Sequence, residues 1–206
     1  MRIIAGTYRG FKIAAPQGSG VRPTSDRVRE AVFNILADAV AGTGVLDLFA
    51  GSGAMGLEAL SRGAKDCLFV DNSPASCRII RENVEKLEVG DRCRVRCSDV
   101  EAFIRRSVPR EQRGHYGVVF VDPPYAHGAH GRVLRQLSSW QGLRDRALVV
   151  LESAREDALL DEGASPCDGM IVVRKRKYGN TAITIVRYTG RGDAADDEEG
   201  DVSRQF

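Results

Sequence analysis

Gly44-Val45-Leu46-Asp47-Leu48-Phe49-Ala50-Gly51-Ser52-Gly53-Ala54-Met55-Gly56-Leu57-Glu58 is the stretch that decides the fold. An apolar strand runs into a glycine-rich turn and then into the start of a helix, the context in which a G-x-G-x-x-G spacing carries meaning. Twenty residues after Gly51, the apolar run Cys67-Leu68-Phe69-Val70 ends in Asp71, a position from which a carboxylate binds a pair of ribose hydroxyls. A nicotinamide enzyme fits these features as well as any other nucleoside-binding protein.

Outward from this unit, hydrophobic periodicity predicts strands near 44–49, 67–71, 92–98, 116–122, 146–152, 169–176 and 181–188. Helical segments near 54–62, 74–87, 99–107, 129–139 and 155–160 separate most of them. Strands that alternate with helices form a parallel, doubly wound sheet. Right-handed crossovers give the order 3-2-1-4-5, which makes the first and fourth strands neighbours at the switch point where ligands bind. Only Tyr178, Gly179 and Asn180 separate the last two strands, too few residues for a helical crossover, so these strands pair as an antiparallel hairpin.

The predicted fourth strand ends in Val118-Val119-Phe120-Val121-Asp122-Pro123-Pro124-Tyr125. An ordinary strand-ending turn would read the same way, since Asp-Pro and Pro-Pro are common loop punctuation. In this context it resembles the DPPY signature of methyltransferases that act on planar exocyclic amino groups. Such a nitrogen is a poor nucleophile because its lone pair is delocalised into the ring. Asp122 and the carbonyl of Pro123 can accept its two N–H bonds, aim the freed lone pair and steady the developing positive charge. Proline fixes φ and donates no N–H, which keeps the turn rigid, and Tyr125 can lie flat against the base. Asp47 favours the same class. A carboxylate beside the glycine turn repels a pyrophosphate but attracts the ammonium of S-adenosylmethionine, which carries no phosphate. The alternative for Asp47 is a turn or helix-capping carboxylate.

At 206 residues and 43% hydrophobic, the chain can bury a full core as one compact enzyme. The N-terminus lacks the apolar run of a signal peptide and no stretch reaches membrane-spanning length, so a cytoplasmic location without a membrane partner is expected. Cys67, Cys77, Cys93, Cys97 and Cys167 form no zinc-ligand pairing and read as small buried hydrophobes; no metal is expected. His115, His127 and His130 receive no catalytic role, although His127 and His130 follow the DPPY stretch closely enough to touch substrate. The formal charge of +2 is unevenly spread. Residues 190–206 hold six acids (Asp193, Asp196, Asp197, Glu198, Glu199 and Asp201) against two arginines and read as a disordered acidic tail, leaving the rest distinctly basic. Arg2, Arg9, Lys12, Arg22, Arg27 and Arg29 cluster at the start, and Arg174, Lys175, Arg176 and Lys177 near the end. Such clusters suit a phosphate backbone, and the alternative is a solvated basic face.

Arg2-Ile3-Ile4-Ala5-Gly6-Thr7-Tyr8-Arg9-Gly10-Phe11-Lys12-Ile13 reads as a small β-hairpin. Arg22-Pro23-Thr24-Ser25-Asp26-Arg27-Val28-Arg29-Glu30 then opens a helix whose Val28, Val32, Ile35 and Leu36 form an apolar face. From Arg2 to about Tyr188, through this hairpin, RPTSDRVRE, DLFAGSGAMGLEALSRGA and DPPY, the chain closely resembles the RsmD family of bacterial small-subunit (16S) ribosomal RNA guanine-N2 methyltransferases. The resemblance implies an α/β, Rossmann-like class I methyltransferase fold. Its seven-stranded, mostly parallel sheet would carry a C-terminal antiparallel hairpin and a small N-terminal β-hairpin extension. It divides the chain into an RNA-facing extension (1–40), a methyltransferase domain (41–189) and the acidic tail (190–206), which has no counterpart in the family pattern. By the same resemblance, Asp47, Gly51 and Gly53 line the methionine end of S-adenosylmethionine, and Asp71 holds the ribose. Asp99 hydrogen-bonds the adenine amino group, with Val100 beside the ring. Asp122, Pro123 and Tyr125 receive the guanine, and family members often carry Phe in place of Tyr125. Arg22 and Arg27 position RNA or close the site, and with Arg2, Arg9 and Lys12 they form the expected RNA-binding set. The implied reaction is direct in-line transfer to small-subunit ribosomal RNA, held in a subunit particle, by a monomeric enzyme. The rivals are a DNA adenine-N6 methyltransferase, although no insertion is long enough for a target-recognition domain, and a protein glutamine methyltransferase, which Asp122 in place of Asn disfavours. From other classes, a nicotinamide oxidoreductase or a non-catalytic RNA-binding module could own the glycine turn.

Overall fold

The structure is a computed structural model, and it describes residues 1–15, 25–123, 128–153 and 161–190. A sheet of seven strands runs through it: β1 (Gly44–Leu48), β2 (Asp66–Asp71), β3 (Cys93–Cys97), β4 (Tyr116–Val121), β5 (Leu143–Ser153), β6 (Met170–Tyr178) and β7 (Thr181–Tyr188). The order is β3-β2-β1-β4-β5-β7-β6, parallel from β3 to β5, with β7 antiparallel to both β5 and β6. This is the predicted α/β topology with its C-terminal hairpin. The hairpin's second strand inserts beside β5, leaving β6 at the edge. β5 starts three residues earlier than periodicity suggested, and the helix expected at 155–160 lies outside the described residues.

Helices cover both faces: α1 (Asp26–Leu36), α2 (Ala54–Ser61) and α3 (Pro74–Lys86) on one side, α4 (Val100–Ile104) and α5 (Ala129–Ser138) on the other. Strand alternation sorts the core accordingly. Val45, Cys67, Phe69, Val118 and Phe120 pack toward α1 to α3, whereas Leu46, Leu48, Leu68, Val70, Val119 and Val121 pack toward α4 and α5. Ser25 caps α1 by accepting from the Val28 N–H at 3.2 Å. The buried face of α1 is Val28, Val32, Phe33 and Leu36; Phe33 takes the place expected of Ile35, which is half-buried. No helix among the described residues is long and apolar enough to cross a membrane.

The N-terminal segment is bolted to this sandwich. Arg2 and Lys12 form its single antiparallel bridge, and Ile3 and Ile13 sink into the same cluster as Phe33, Leu57 and Leu60. Three buried polar side chains of the helices hold it. Glu58 accepts from the N–H groups of Ile4 and Ala5 at 2.8 and 3.1 Å. Ser61 donates its hydroxyl to the Ala5 carbonyl at 2.6 Å. Asn83 pairs with both backbone groups of Ala14, at 2.7 and 3.0 Å. Gly6 is obligatory here, because a Cβ would lie 1.9 Å from the Ser61 carbonyl oxygen.

Arg29, expected in the basic cluster that faces phosphate, is instead buried. Its guanidinium is fully enclosed, donates to the Arg2 carbonyl at 2.5 Å and to Asp26 at 2.9 Å, and lies 3.6 Å from Glu58. A second correction concerns Cys97, expected as a buried hydrophobe but exposed at the end of edge strand β3; Cys93 and Cys167 are half-buried, and only Cys67 and Cys77 are enclosed.

Candidate active site

The parallel pairing of β1 with β4 places the glycine turn and Asp122 on adjacent strand ends, at the point where strand order reverses. The turn is held from several sides. Ala50 donates to the Val70 carbonyl at 3.2 Å and Gly53 to the Ala50 carbonyl at 2.7 Å. Gly51 donates to Asp71 Oδ2 at 2.8 Å. Asn83 Nδ2 reaches the Ser52 carbonyl at 3.1 Å, so one side chain ties the N-terminal segment to the turn. Gly51 and Gly53 have φ of +57° and +76°, the left-handed region that glycine adopts without strain. Gly56 serves packing instead: a Cβ there would come within 2.3 Å of the Phe69 ring and 2.5 Å of Cys67 Sγ, so only glycine lets α2 lie this close to β2.

Asp47 is buried on the α2 face of β1, where its Oδ2 accepts from the Gly56 N–H at 2.9 Å. The helix-end role foreseen as its alternative is therefore present. Burial pushes its carboxyl up to about 8, with Asp122 and Asp71 adding repulsion. Asp71 spans the turn, accepting from Gly51 on one oxygen and from Ser73 on the other, each at 2.8 Å. Asp99 caps α4 by accepting from the Ala102 N–H at 2.8 Å, and its own side chain is exposed while Val100 beside it is buried. Pro123 is buried and Asp122 opens to solvent at the crevice mouth. The protein packed around Asp122 pushes its carboxyl up to about 7 and Glu152 at the end of β5 repels it. Its contact with water screens part of that push.

The ends of β1, β2, β4 and β5 thus gather Asp47, Asp71, Asp122 and Glu152. Among the described residues, the charged groups acting on Asp47 and Asp122 are all carboxylates. Asp47 and Asp122, on which no described cation acts, suit a ligand rich in N–H and O–H donors and carrying positive charge. The ammonium, sulfonium and ribose hydroxyls of S-adenosylmethionine fit that description.

Tyr125, Arg22 and His127 lie outside the described residues. His130 gives Nε2 to the Glu152 carbonyl at 2.8 Å. Arg2, Arg9, Lys12 and Arg27 are exposed; Arg2 lies 3.7 Å from Asp26. Phe11, between Arg9 and Lys12, is 41% exposed. In the second basic cluster two of the four cations are paired with acids, Lys175 with Asp161 at 2.8 Å and Arg176 with Glu162 at 3.2 Å. Sequence reasoning missed Asn83 and Glu152. Glu152 repeats the pattern of Asp122, an acid at the end of an apolar strand, and was findable from it; Asn83 carries no signal outside the folded chain.

The family described as conserved hypothetical protein 95 matches residues 1–187. The ribosomal RNA small subunit methyltransferase D of Escherichia coli K12 is 37% identical over 194 residues, 94% of this chain and 93% of that protein. A candidate rRNA methyltransferase of Bacillus subtilis, YlbH, is 34% identical over 190 residues, 92% of this chain and 100% of that one. Among solved structures, the Escherichia coli protein described as candidate methyltransferase yhhF superposes with a TM-score of 0.78 at 33% identity, covering 93% of this chain and 99% of that one.

Proposed function

The chain belongs to the conserved hypothetical protein 95 family, the RsmD family, and from that premise we propose that it methylates the N2 amino group of a guanine in small-subunit ribosomal RNA with S-adenosylmethionine as methyl donor. The observation that carries this reading is the convergence of Asp47, Asp71 and Asp122 at the switch point, where the described charged groups acting on Asp47 and Asp122 are all carboxylates.

When bound, S-adenosylmethionine supplies a methyl group activated by its positively charged sulfur. Asp71 holds the ribose; each of its oxygens already accepts one N–H and keeps a lone pair for a hydroxyl. Asp99 offers the adenine amino group the oxygen that Ala102 leaves free, and Val100 provides an apolar wall. Asp47, Gly51 and Gly53 surround the methionine end, where a cation lowers the cost of an ionised Asp47. Asp122 and the Pro123 carbonyl take the two N–H bonds of the guanine amino group, and Tyr125 stacks on the base. The nitrogen that gains a methyl sheds one proton, and Asp122, poised near neutrality, is the carboxylate at hand to accept it. The base leaves its stack to enter the crevice, which favours a loop nucleotide or a flipped one. The substrate is the RNA within a small-subunit particle, and the enzyme acts as a cytoplasmic monomer. Residues 1–40 face the RNA, 41–189 form the methyltransferase domain and 190–206 an acidic tail.

Nucleoside mass spectrometry of ribosomal RNA from cells with and without the gene tests the reading. Loss of one N2-methylguanosine from small-subunit RNA is expected. Loss of N6-methyladenosine from DNA would transfer the protein to the adenine class, and no change in either would leave a binding module. In a melting assay S-adenosylmethionine should stabilise the protein and a nicotinamide dinucleotide should not.

A further inference from the structure

On the α4 side of the sheet, away from the strand ends that form the crevice, lies a cleft of about 370 Å3 whose character differs from everything around the active site. Arg94 and Arg96 project into it from edge strand β3, where alternation sends both side chains to the same face. Arg106, just beyond the end of α4, enters from the other side. All three arginines are exposed, and none forms an ion pair with a described residue. Among the described residues, no carboxylate lines the cleft. Its apolar wall is Phe103, half-buried and packed at 5.8 Å and 56° against the buried Trp140.

Three uncompensated guanidinium groups beside a half-open aromatic ring form a combination that a protein core does not require. Like charges gathered around one cleft, Arg94 and Arg96 on one face of β3 and Arg106 beyond α4, repel one another, so their cost is offset when an anion is bound between them. A guanidinium presents a planar fork matched to phosphate oxygens, and an aromatic ring with one free side accepts a stacked base. We propose that this cleft is a second RNA-binding site, in which Arg94, Arg96 and Arg106 hold consecutive phosphates of a single-stranded segment while a base lies against Phe103. The site rests on the reading of the substrate as RNA and extends it, because it places a stretch of the strand well away from the base being modified. Helix α4 connects the two places: Asp99 and Val100 at its start belong to the proposed cofactor site, and Phe103 and Arg106 at its end belong to the cleft.

The test compares wild type with an Arg94→Gln, Arg96→Gln, Arg106→Gln triple variant. The probes are protein-free small-subunit ribosomal RNA and small-subunit particles from cells that lack the gene. If three phosphate contacts are lost, the slope of log affinity against log salt should flatten by about 2, at roughly 0.7 per contact for a single strand. A slope of 2 spans two decades between 1 M and 0.1 M salt, so affinity at 0.1 M should fall roughly a hundredfold. Affinity for S-adenosylmethionine should stay at the wild-type value. An Arg106→Glu variant, altered only at an exposed position beyond the helix, carries the test should the triple variant not fold; it should weaken binding and flatten the slope by about 0.7. A wild-type protein that methylates RNA while the variants keep its affinity and salt slope would overturn the second site and leave the proposed function standing. Weaker binding with an unchanged slope would also overturn it, because the arginines would then be acting through packing. A wild type that binds S-adenosylmethionine but neither binds nor methylates either RNA probe would instead sink the reading of the substrate on which the site rests.

Discussion

At the residue scale, two carboxylates on the neighbouring strands β1 and β4 make opposite predictions. Asp122 faces the crevice and is proposed to act on the developing charge of the amino group, so Asp122→Ala should leave cofactor affinity near wild type. Single-turnover methyl transfer should slow by roughly 2.7–4 kcal/mol of barrier, the scale seen when one preorganised polar group is removed from an active site. Retained rate with weakened cofactor binding would reverse the assignment. Asp47 is enclosed and has its carboxyl raised from 3.8 to about 8. A folded-state value above the unfolded one means that the native state holds its proton more tightly, so the cation-free protein loses stability as pH rises from about 4 to about 8. Asp47→Asn keeps an acceptor for the Gly56 N–H without the charge. Its melting temperature should exceed that of wild type at pH 8, by roughly 2–4 °C for each kcal/mol relieved, and the difference should shrink toward pH 5. A variant less stable than wild type at pH 8 would show that the ionised Asp47 bond to Gly56 outweighs the cost of burying it.

Among the elements, α2 carries more than its eight residues suggest, because its two ends serve different partners. Its first turn packs on β2 through Gly56, and its last turn grips the N-terminal segment through Glu58 and Ser61. Glu58 is fully enclosed, bonded to Arg62 at 2.8 Å and close to the equally enclosed Arg29. Removing it leaves the buried Arg29 guanidinium with only the half-exposed Asp26 and strips the Ile4 and Ala5 N–H groups of their acceptor, so Glu58→Ala should cost about 3–5 kcal/mol in urea unfolding. Gly6→Ala tests the other half of the clamp, since its Cβ cannot fit beside the Ser61 carbonyl. It should destabilise by about 1–3 kcal/mol as the backbone shifts to relieve the overlap. A Gly6→Ala protein as stable as wild type would mean that the segment does not need its observed path.

For the molecule as a whole, the N-terminal segment and the C-terminal tail are predicted to be unequal. Ile3 and Ile13 share a core with Phe33, Leu57 and Leu60, and Asn83 links Ala14 to the glycine turn. Deleting residues 1–15 should therefore lower the melting temperature and weaken S-adenosylmethionine binding together. Ending the chain at residue 190 should change neither, because the family match stops at 187. Calorimetry on both truncations checks the pair. A stable, cofactor-binding protein lacking residues 1–15 would make the segment an independent attachment.

The amino-acid sequence by itself determined the sheet, the switch point and the strand ends that bear Asp71 and Asp122. Strand periodicity, the turn chemistry of Gly51 and Gly53 and the rigidity of Asp122-Pro123 act within a few residues and need no distant partner. The fate of each charge was decided only by tertiary structure. Arg27 and Arg29 stand two apart in one helix, yet the first faces solvent and the second is sealed against Glu58, twenty-nine positions further on. Lys175 and Arg176 look like a phosphate surface until Asp161 and Glu162 come against them, whereas Arg94, Arg96 and Arg106 draw notice only once the fold brings them around one cleft that no described acid lines. A charge takes its role from what packs across from it, and that partner is chosen by the fold.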